Sequence, residues 1–466
     1  MNYRHPDFSF EWNNYLKKPW RVRWRWRSLP LYYGSQFRSN YGLVNESLHW
    51  TKEQIEEYQW TRIKLLIEHA YRTVPFYQDF FREAKITPAD IRSYSDYARL
   101  PVVNRKHLHD NLKDFTSSEF QKYRGFLSKT SGTTGHPLVF YRTPDVESMR
   151  QAVVWRHFNS FGYQFKQPRV SLNVIFKDDN TDLLYYYDPL ENNLVLNGAF
   201  LSEEAIGEIH QLITRFRPIL FYGHTSGIAT LATLMKRQGL KPLGIQNVLA
   251  YSEVLAENEH RLISRFIGSN IYDYFANREN TISAPQFSCG SYHVNSEFTY
   301  LELADCPERF HGEKLYSVLG TNLWNYAMPL LRYDSGDLAR SMSPCPACEI
   351  KHPTVKFIGG RWKNFLVSKQ GLLHCLFDDN LHESGIELLE DYQIEQQDLE
   401  NIIVRLVPSA KFNKDSDERV ILDLLKSSTN NWFKINLEYR TAIPPTDGFK
   451  KAKVVSRLAY AELSRD

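Results

Sequence analysis

Apolar and polar positions change period along this chain, and the changes divide it. Residues 1–45 carry no sustained period and read as irregular, apart from Pro19 to Arg27, where basic and bulky residues alternate strictly. A period of two would put the arginines on one face of an extended segment and the tryptophans on the other. From Thr51 to Ala70 the period becomes helical: Tyr58, Ile63, Leu66, Ile67 and Ala70 form a stripe. Thr51 followed by Gln54 has the spacing of a capping box, which predicts where the helix starts. A second helical stretch covers Phe76–Ala84, and Pro101 and Asn104 punctuate the chain beyond it.

Between residues 125 and 300, short apolar runs alternate with amphipathic ones. Strands are expected at Val170–Phe176, Ile219–Tyr222, Asn247–Tyr251 and Asn270–Phe275, and helices at Glu203–Arg215, Ile228–Gln238 and Leu255–Ile267. Such alternation builds a largely parallel sheet, whose ligand sites lie at loop ends. Glu297–Leu303 and Lys314–Leu319 read as a later β region. Gly359–Arg361 carries a hinge signal, and the tail from Trp362 holds strand-like Ile402–Leu406 before a Lys-rich finish. No internal repeat is present.

With 466 residues, the length favours two or three domains. The net charge of +3 lacks the basic excess of a dedicated nucleic-acid binder. No apolar run reaches the roughly 18 residues needed to span a bilayer, and Met1–Phe10 lacks the apolar core of a secretion signal. Five cysteines are too few for a disulfide framework and suit a reducing compartment. A cytoplasmic globular enzyme is the expectation. The Trp/Arg run at 19–27 adds two readings, peripheral contact with an anionic membrane or docking on the protein's own body.

Two stretches carry candidate chemistry. Thr130-Ser131-Gly132-Thr133-Thr134-Gly135-His136-Pro137 combines two glycines with four hydroxyls, so backbone N–H and side-chain O–H groups can wrap phosphate oxygens. It lacks the Gly-Lys-Ser/Thr ending of a Walker loop. Cys345-Pro346-Ala347-Cys348 has metal-knuckle spacing, and Cys289 and His293 lie upstream. Together they make a Cys₃His set suited to closed, structural zinc; two unrelated pairs of reduced cysteines is the other reading. Cys306 and Cys375 are left without a role.

The hydroxyl-rich loop resembles the Ser/Thr-Ser-Gly-Thr-Thr-Gly-Lys-Pro signature of the adenylate-forming superfamily, with His136 in the place of Lys. Further motifs occur in that family's order. Asn247–Glu253 with Leu255 and Arg261 resembles the segment before the adenine site. Tyr274-Phe275-Ala276-Asn277-Arg278-Glu279 resembles the Tyr-Gly-x-x-Glu motif. Leu331–Leu338 is similar to Tyr-Arg-Thr-Gly-Asp, and Gly360-Arg361-Trp362-Lys363-Asn364 to the Gly-Arg-x-x-Asp hinge. Gly448–Lys453 resembles the stretch that bears the catalytic lysine. His69–Tyr77, the Tyr222–Ala232 helix start and the Arg278-Glu279 ending are most similar to the phenylacetate–CoA ligase and CapK-like branch.

The resemblance implies an α/β fold: an AMP-binding domain at 46–360 and a smaller, mobile α+β domain at 361–466, behind an extension at 1–45. It implies ATP, Mg²⁺ and a carboxylic acid as ligands, giving an acyl-adenylate. A thiol such as coenzyme A, or an amine, would then accept the acyl group in polysaccharide or envelope biosynthesis. Thr130 to Gly135 would hold phosphates, with Thr134 catalytic. Phe275 would stack on adenine beside Asn277, Glu279 would hold magnesium and Asp337 the ribose. Arg361 would meet phosphate or ribose, and Lys451 would offset charge on the α-phosphate and the attacking carboxylate. Phe221, Tyr222, His224 and Tyr251 are candidate walls for the acid. The departures at His136, Phe275, Ala276 and Asn364 leave a second reading, a catalytically degenerate nucleotide-binding protein or membrane-recruited scaffold.

Overall fold

A computed structural model describes residues 34–129, 138–173, 184–188, 191–252, 255, 257–310, 313–361, 365–369, 371–374, 388–443 and 454–456. The predicted alternation becomes a seven-stranded sheet. Its five middle strands, Gly268–Ala276, Ile245–Tyr251, Leu220–His224, Arg169–Asn173 and Asn193–Asn197, run parallel. Ser283–Pro285 and Tyr185–Asp188 close the two edges antiparallel. Strands covered on both faces must be apolar on both, and Asn193–Asn197 is buried throughout. Ile209, Ile213, Leu231 and Ile263, from helices Ile206–Phe216, Thr225–Arg237 and Glu257–Phe266, pack with Phe221 and Val248 in one core. Trp155 and Phe158 of helix Pro144–Ser160 pack with Leu220, Leu249 and Tyr274.

A second sheet has the order Tyr292–His293, Thr354–Arg361, Tyr333–Ser343, Glu313–Asn322, Thr299–Phe310, and Val103–Asn104 joins the third of these in parallel. Helices Lys52–Thr73 and Pro75–Ala84 pack with it through Ile63, Leu66, Tyr77 and Phe81 against Leu331 and Tyr333. The capping box at Thr51 and Gln54 is formed in both directions. A third, four-stranded sheet, Lys434–Tyr439, Asn401–Pro408, Leu389–Gln396 and Val454–Ser456, has its own core with Ile421 and Leu425 of helix Lys414–Ser428.

Two local readings change. The stretch expected to be irregular becomes a helix at Ser35–Glu46. Its inward positions include Asn40, which donates to Ser148, and Tyr41, so no aliphatic stripe announces it. Packing on Pro144–Ser160 through Phe37, Tyr41 and Val44 supplies what propensity lacks. The Gly359-Gly360 signal falls inside strand Thr354–Arg361, at the irregularity where the ladder to Tyr333–Ser343 passes from the Leu338–Ile358 pair to the Asp337–Arg361 pair. Among the described residues no helix is long and apolar enough to cross a membrane.

Candidate active site

Strand Gly268–Ala276 ends in a tight turn made by one asparagine. The Asn277 side-chain oxygen accepts from the N–H groups of Thr281 (2.9 Å) and Ile282 (3.0 Å), and its amide donates to Thr281 Oγ1 at 2.7 Å. Asn277, expected at the nucleotide, therefore has both ends of its amide engaged in holding this turn. The turn docks on strand Glu313–Asn322. Asn322 donates to the Asn280 carbonyl at 2.6 Å, and at Gly320 an added Cβ would lie 2.3 Å from the Thr281 oxygen. Only glycine permits that approach.

The turn presents Glu279. Its side chain is buried, and Tyr333 Oη donates to Oε1 at 3.1 Å. Oε2 is buried and takes no hydrogen bond from any described group. A buried carboxylate oxygen without a partner is costly, so this atom is suited to a cation. Hard oxygen donors are what Mg²⁺ takes, and the donor chemistry fits it. Tyr333 opens the strand that four residues later carries Asp337. Ser335 donates to Asp337 Oδ2, and Gly336 N–H donates to Asp334 Oδ1 at 2.8 Å. Burial pushes the Asp334 carboxyl up, with the Gly336 N–H opposing it. Asp337 lies opposite Arg361 in the ladder. Backbone register thus brings together two motifs 24 residues apart.

Phe275 stacks on Phe357 with ring centroids 3.6 Å apart and planes 14° from parallel, so one face of the expected adenine platform is covered by another ring. Tyr222 and Tyr251 stack at 4.6 Å, and His224 lies 4.7 Å from Tyr251. These three half-buried rings lie at the carboxyl ends of neighbouring parallel strands, the usual ligand edge of such sheets. Phe221 alternates to the opposite face and belongs to the core beneath the helices. Thr130 to Gly135, with Thr134 among them, and His136, Asn364 and Lys451 lie outside the described residues, as do the side chain of Arg361 and the Trp/Arg run. Tyr333 and Gly320 drew no role from sequence. Tyr333 stands inside a recognised motif, but its bond to Glu279 spans 54 residues.

Cys289, His293, Cys345 and Cys348 converge, with all four ligand atoms within 4.8 Å of one another. His293 Nε2 lies 3.3 Å from Cys289 Sγ and 3.4 Å from Cys348 Sγ, and the Cys345 and Cys289 sulfurs are 3.9 Å apart. A tetrahedron with bonds of about 2.3 Å to sulfur and about 2.0 Å to nitrogen has edges of about 3.5–3.8 Å. Burial pushes His293 down to about 4, which favours the neutral imidazole a metal needs. The donor set fits zinc. Behind it, Glu297 is fully buried against Arg156 and accepts from Ser47, while Arg156 also donates to Asn295. Burial alone would raise the Glu297 carboxyl; Arg156, His352 and Ser47 together bring it below its usual value.

No family model matches the chain. A phenylacetate–coenzyme A ligase of Pseudomonas putida is 25% identical over 308 residues, 62% of this chain and 67% of the relative. Protein CapK of Staphylococcus aureus is 23% identical over 420 residues, 86% of this chain and 89% of CapK. Among solved structures, a 2-hydroxyisobutyryl-CoA ligase in its postadenylation state matches with a TM-score of 0.69 at 15% identity, covering 88% of this chain and 91% of that one. Fold and motif order are together those of the adenylate-forming ligases. Within that superfamily, the sequence relatives are the phenylacetate–CoA ligases and CapK.

Proposed function

We propose that the protein uses ATP to convert a carboxylic acid to an acyl-adenylate and then passes the acyl group to a thiol or amine acceptor. The observation that carries this is the buried Glu279 oxygen that takes no hydrogen bond from any described group, on a side chain held through Tyr333 by the strand that bears Asp337. In this reading Glu279 holds Mg²⁺, which when bound would offset phosphate charge. Asp337 accepts from the ribose hydroxyls, as a carboxylate can from two donors. The Thr130–Gly135 loop, with Thr134, wraps the phosphates, and Phe275 stacks on the base. Tyr222, His224 and Tyr251 face the acid. Residues 361–466 act as a lid that brings Lys451 to the reacting carboxylate for adenylation and withdraws it for transfer. Arg361 stands at the start of that unit, near the phosphates or ribose.

Coenzyme A is the acceptor suggested by the phenylacetate–CoA ligases. An amine acceptor, in polysaccharide or envelope biosynthesis, is the alternative that fits the similarity to CapK over 86% of the chain. The Cys₃His cluster holds structural zinc, because a closed set of four ligands leaves no position for substrate.

Acid-dependent pyrophosphate exchange, run over a panel of aryl, fatty, amino and sugar acids, tests the first step. Exchange is expected with one acid class. Glu279→Ala and Asp337→Ala are each expected to lower it at least about 100-fold, the scale of losing a transition-state electrostatic contact. No exchange across the panel, with ATP still binding by calorimetry, would replace this reading with a nucleotide-binding protein that does no chemistry.

A further inference from the structure

The Cys₃His cluster sits at one end of the strand that carries both Phe357 and Arg361. Cys345 and Cys348 precede strand Thr354–Arg361, and His293 belongs to the two-residue strand Tyr292–His293 that pairs with it at Val355 and Thr354. So short a ladder holds register weakly on its own. On the other side, the ladder to Tyr333–Ser343 is interrupted twice, between Asp337 and Leu338 and between Ala339 and Ser341. Such irregularities disrupt pairing locally. A metal joining residues 289 and 293 to 345 and 348 would fix what these ladders leave loose.

From that point two side chains lead to the nucleotide residues. Tyr292 is the neighbour of His293. Its hydroxyl donates to Asp273 Oδ2 at 2.7 Å, and its ring edge meets Phe357 at 5.9 Å and 86°. Phe357 then stacks face to face on Phe275. Asp273 and Phe275 lie two residues apart on one strand, hence on one face of it. The metal ligand His293 is thus joined through the backbone to Tyr292, and Tyr292, Phe357 and Phe275 continue from it as a line of ring contacts between the two sheets.

We propose that metal held by Cys289, His293, Cys345 and Cys348 sets the affinity for ATP, with Tyr292 and Phe357 as positioning residues that carry its effect to the Phe275 face and the Arg361 strand end. This rests on the metal and nucleotide readings above. A metal with four protein ligands thereby tunes binding without touching substrate.

The test is calorimetric binding of ATP with Mg²⁺ to the full chain, as purified, after removal of zinc by a chelator, and after zinc is returned. Far-UV circular dichroism monitors folding and elemental analysis the metal. Folded, stripped protein is expected to bind ATP about 5- to 150-fold more weakly, the usual range for coupled sites, and zinc should restore it. Phe357→Leu at full metal content should reproduce the loss, and stripping that variant should add little. Phe357→Tyr, which keeps the ring, should bind like wild type.

Protein purified without metal would overturn the metal reading, and protein that binds no ATP the nucleotide reading. A metal-containing protein whose ATP affinity is the same after stripping would overturn this inference alone. Where stripping unfolds the chain, Phe357→Leu decides: unchanged affinity at full metal content overturns the proposal, and weakened affinity with rescue by Phe357→Tyr supports it.

Discussion

Asp273 and Glu279 lie six residues apart, at the end of a strand and in the turn beyond it, and their surroundings treat them differently. Asp273 is 7% exposed, accepts from Tyr292 Oη and from Tyr274 N–H, and has no cation among the groups acting on its carboxyl. Burial pushes it up to about 6, against the pull of those two hydrogen bonds. Its folded value lies above its unfolded one, so the folded state keeps the proton to higher pH. The stability this contributes is complete below about pH 4 and is lost as pH rises through 6. Two pH units of such shift correspond to about 3 kcal/mol. Asp273→Asn is therefore expected to match wild type near pH 4 and to exceed it above pH 7, by a margin of that order. Thermal melts from pH 4 to 8 check this; a gap that does not change with pH would refute it.

Elements meet at the candidate active site by close approach. The Asn277–Thr281 turn lies against strand Glu313–Asn322 because Gly320 has no side chain, and Glu279 rides on that turn. Gly320→Ala should push the turn away, costing about 1–3 kcal/mol as overpacking does, and it should lower adenylation more than it lowers acid binding. Pyrophosphate exchange read beside a melting curve separates the two effects. An alanine variant with wild-type exchange would mean that the turn's seat on this strand does not matter to Glu279. The helix Ser35–Glu46 is likewise settled between elements: its register is set by its contacts with Pro144–Ser160, and hardly by its own pattern.

For the whole molecule, the four-stranded C-terminal sheet touches the seven-stranded unit through Arg237, which reaches Glu203 at 3.2 Å and Glu390 at 2.5 Å. All three groups are more than a third exposed, so the pair is worth at most about 1 kcal/mol. That suits a contact made in one arrangement and released in another. Arg237→Ala is expected to leave the melting temperature nearly unchanged. It should speed limited proteolysis between the two units by no more than about fivefold, the factor that 1 kcal/mol allows. A fall of many degrees in melting temperature would show the contact to be structural.

The alternation of strands and helices from 169 to 276, the capping box at Thr51, the order of the motifs and the Cys₃His set were all legible in the sequence. Each depends on local periodicity or on residue types at short spacing, which a linear chain records directly. Phe221 and Phe275 show the boundary. Phe221 stands beside one motif and Phe275 inside another, yet the sheet's alternation buries Phe221 under helices, and the meeting of two sheets puts Phe275 against Phe357. Tyr333 with Glu279, Gly320 with Thr281, and Asp337 with Arg361 are likewise pairings across sheets and turns. Which side chain faces which is decided by strand register and by the close packing of layers, and neither is written in the spacing of residues along the chain.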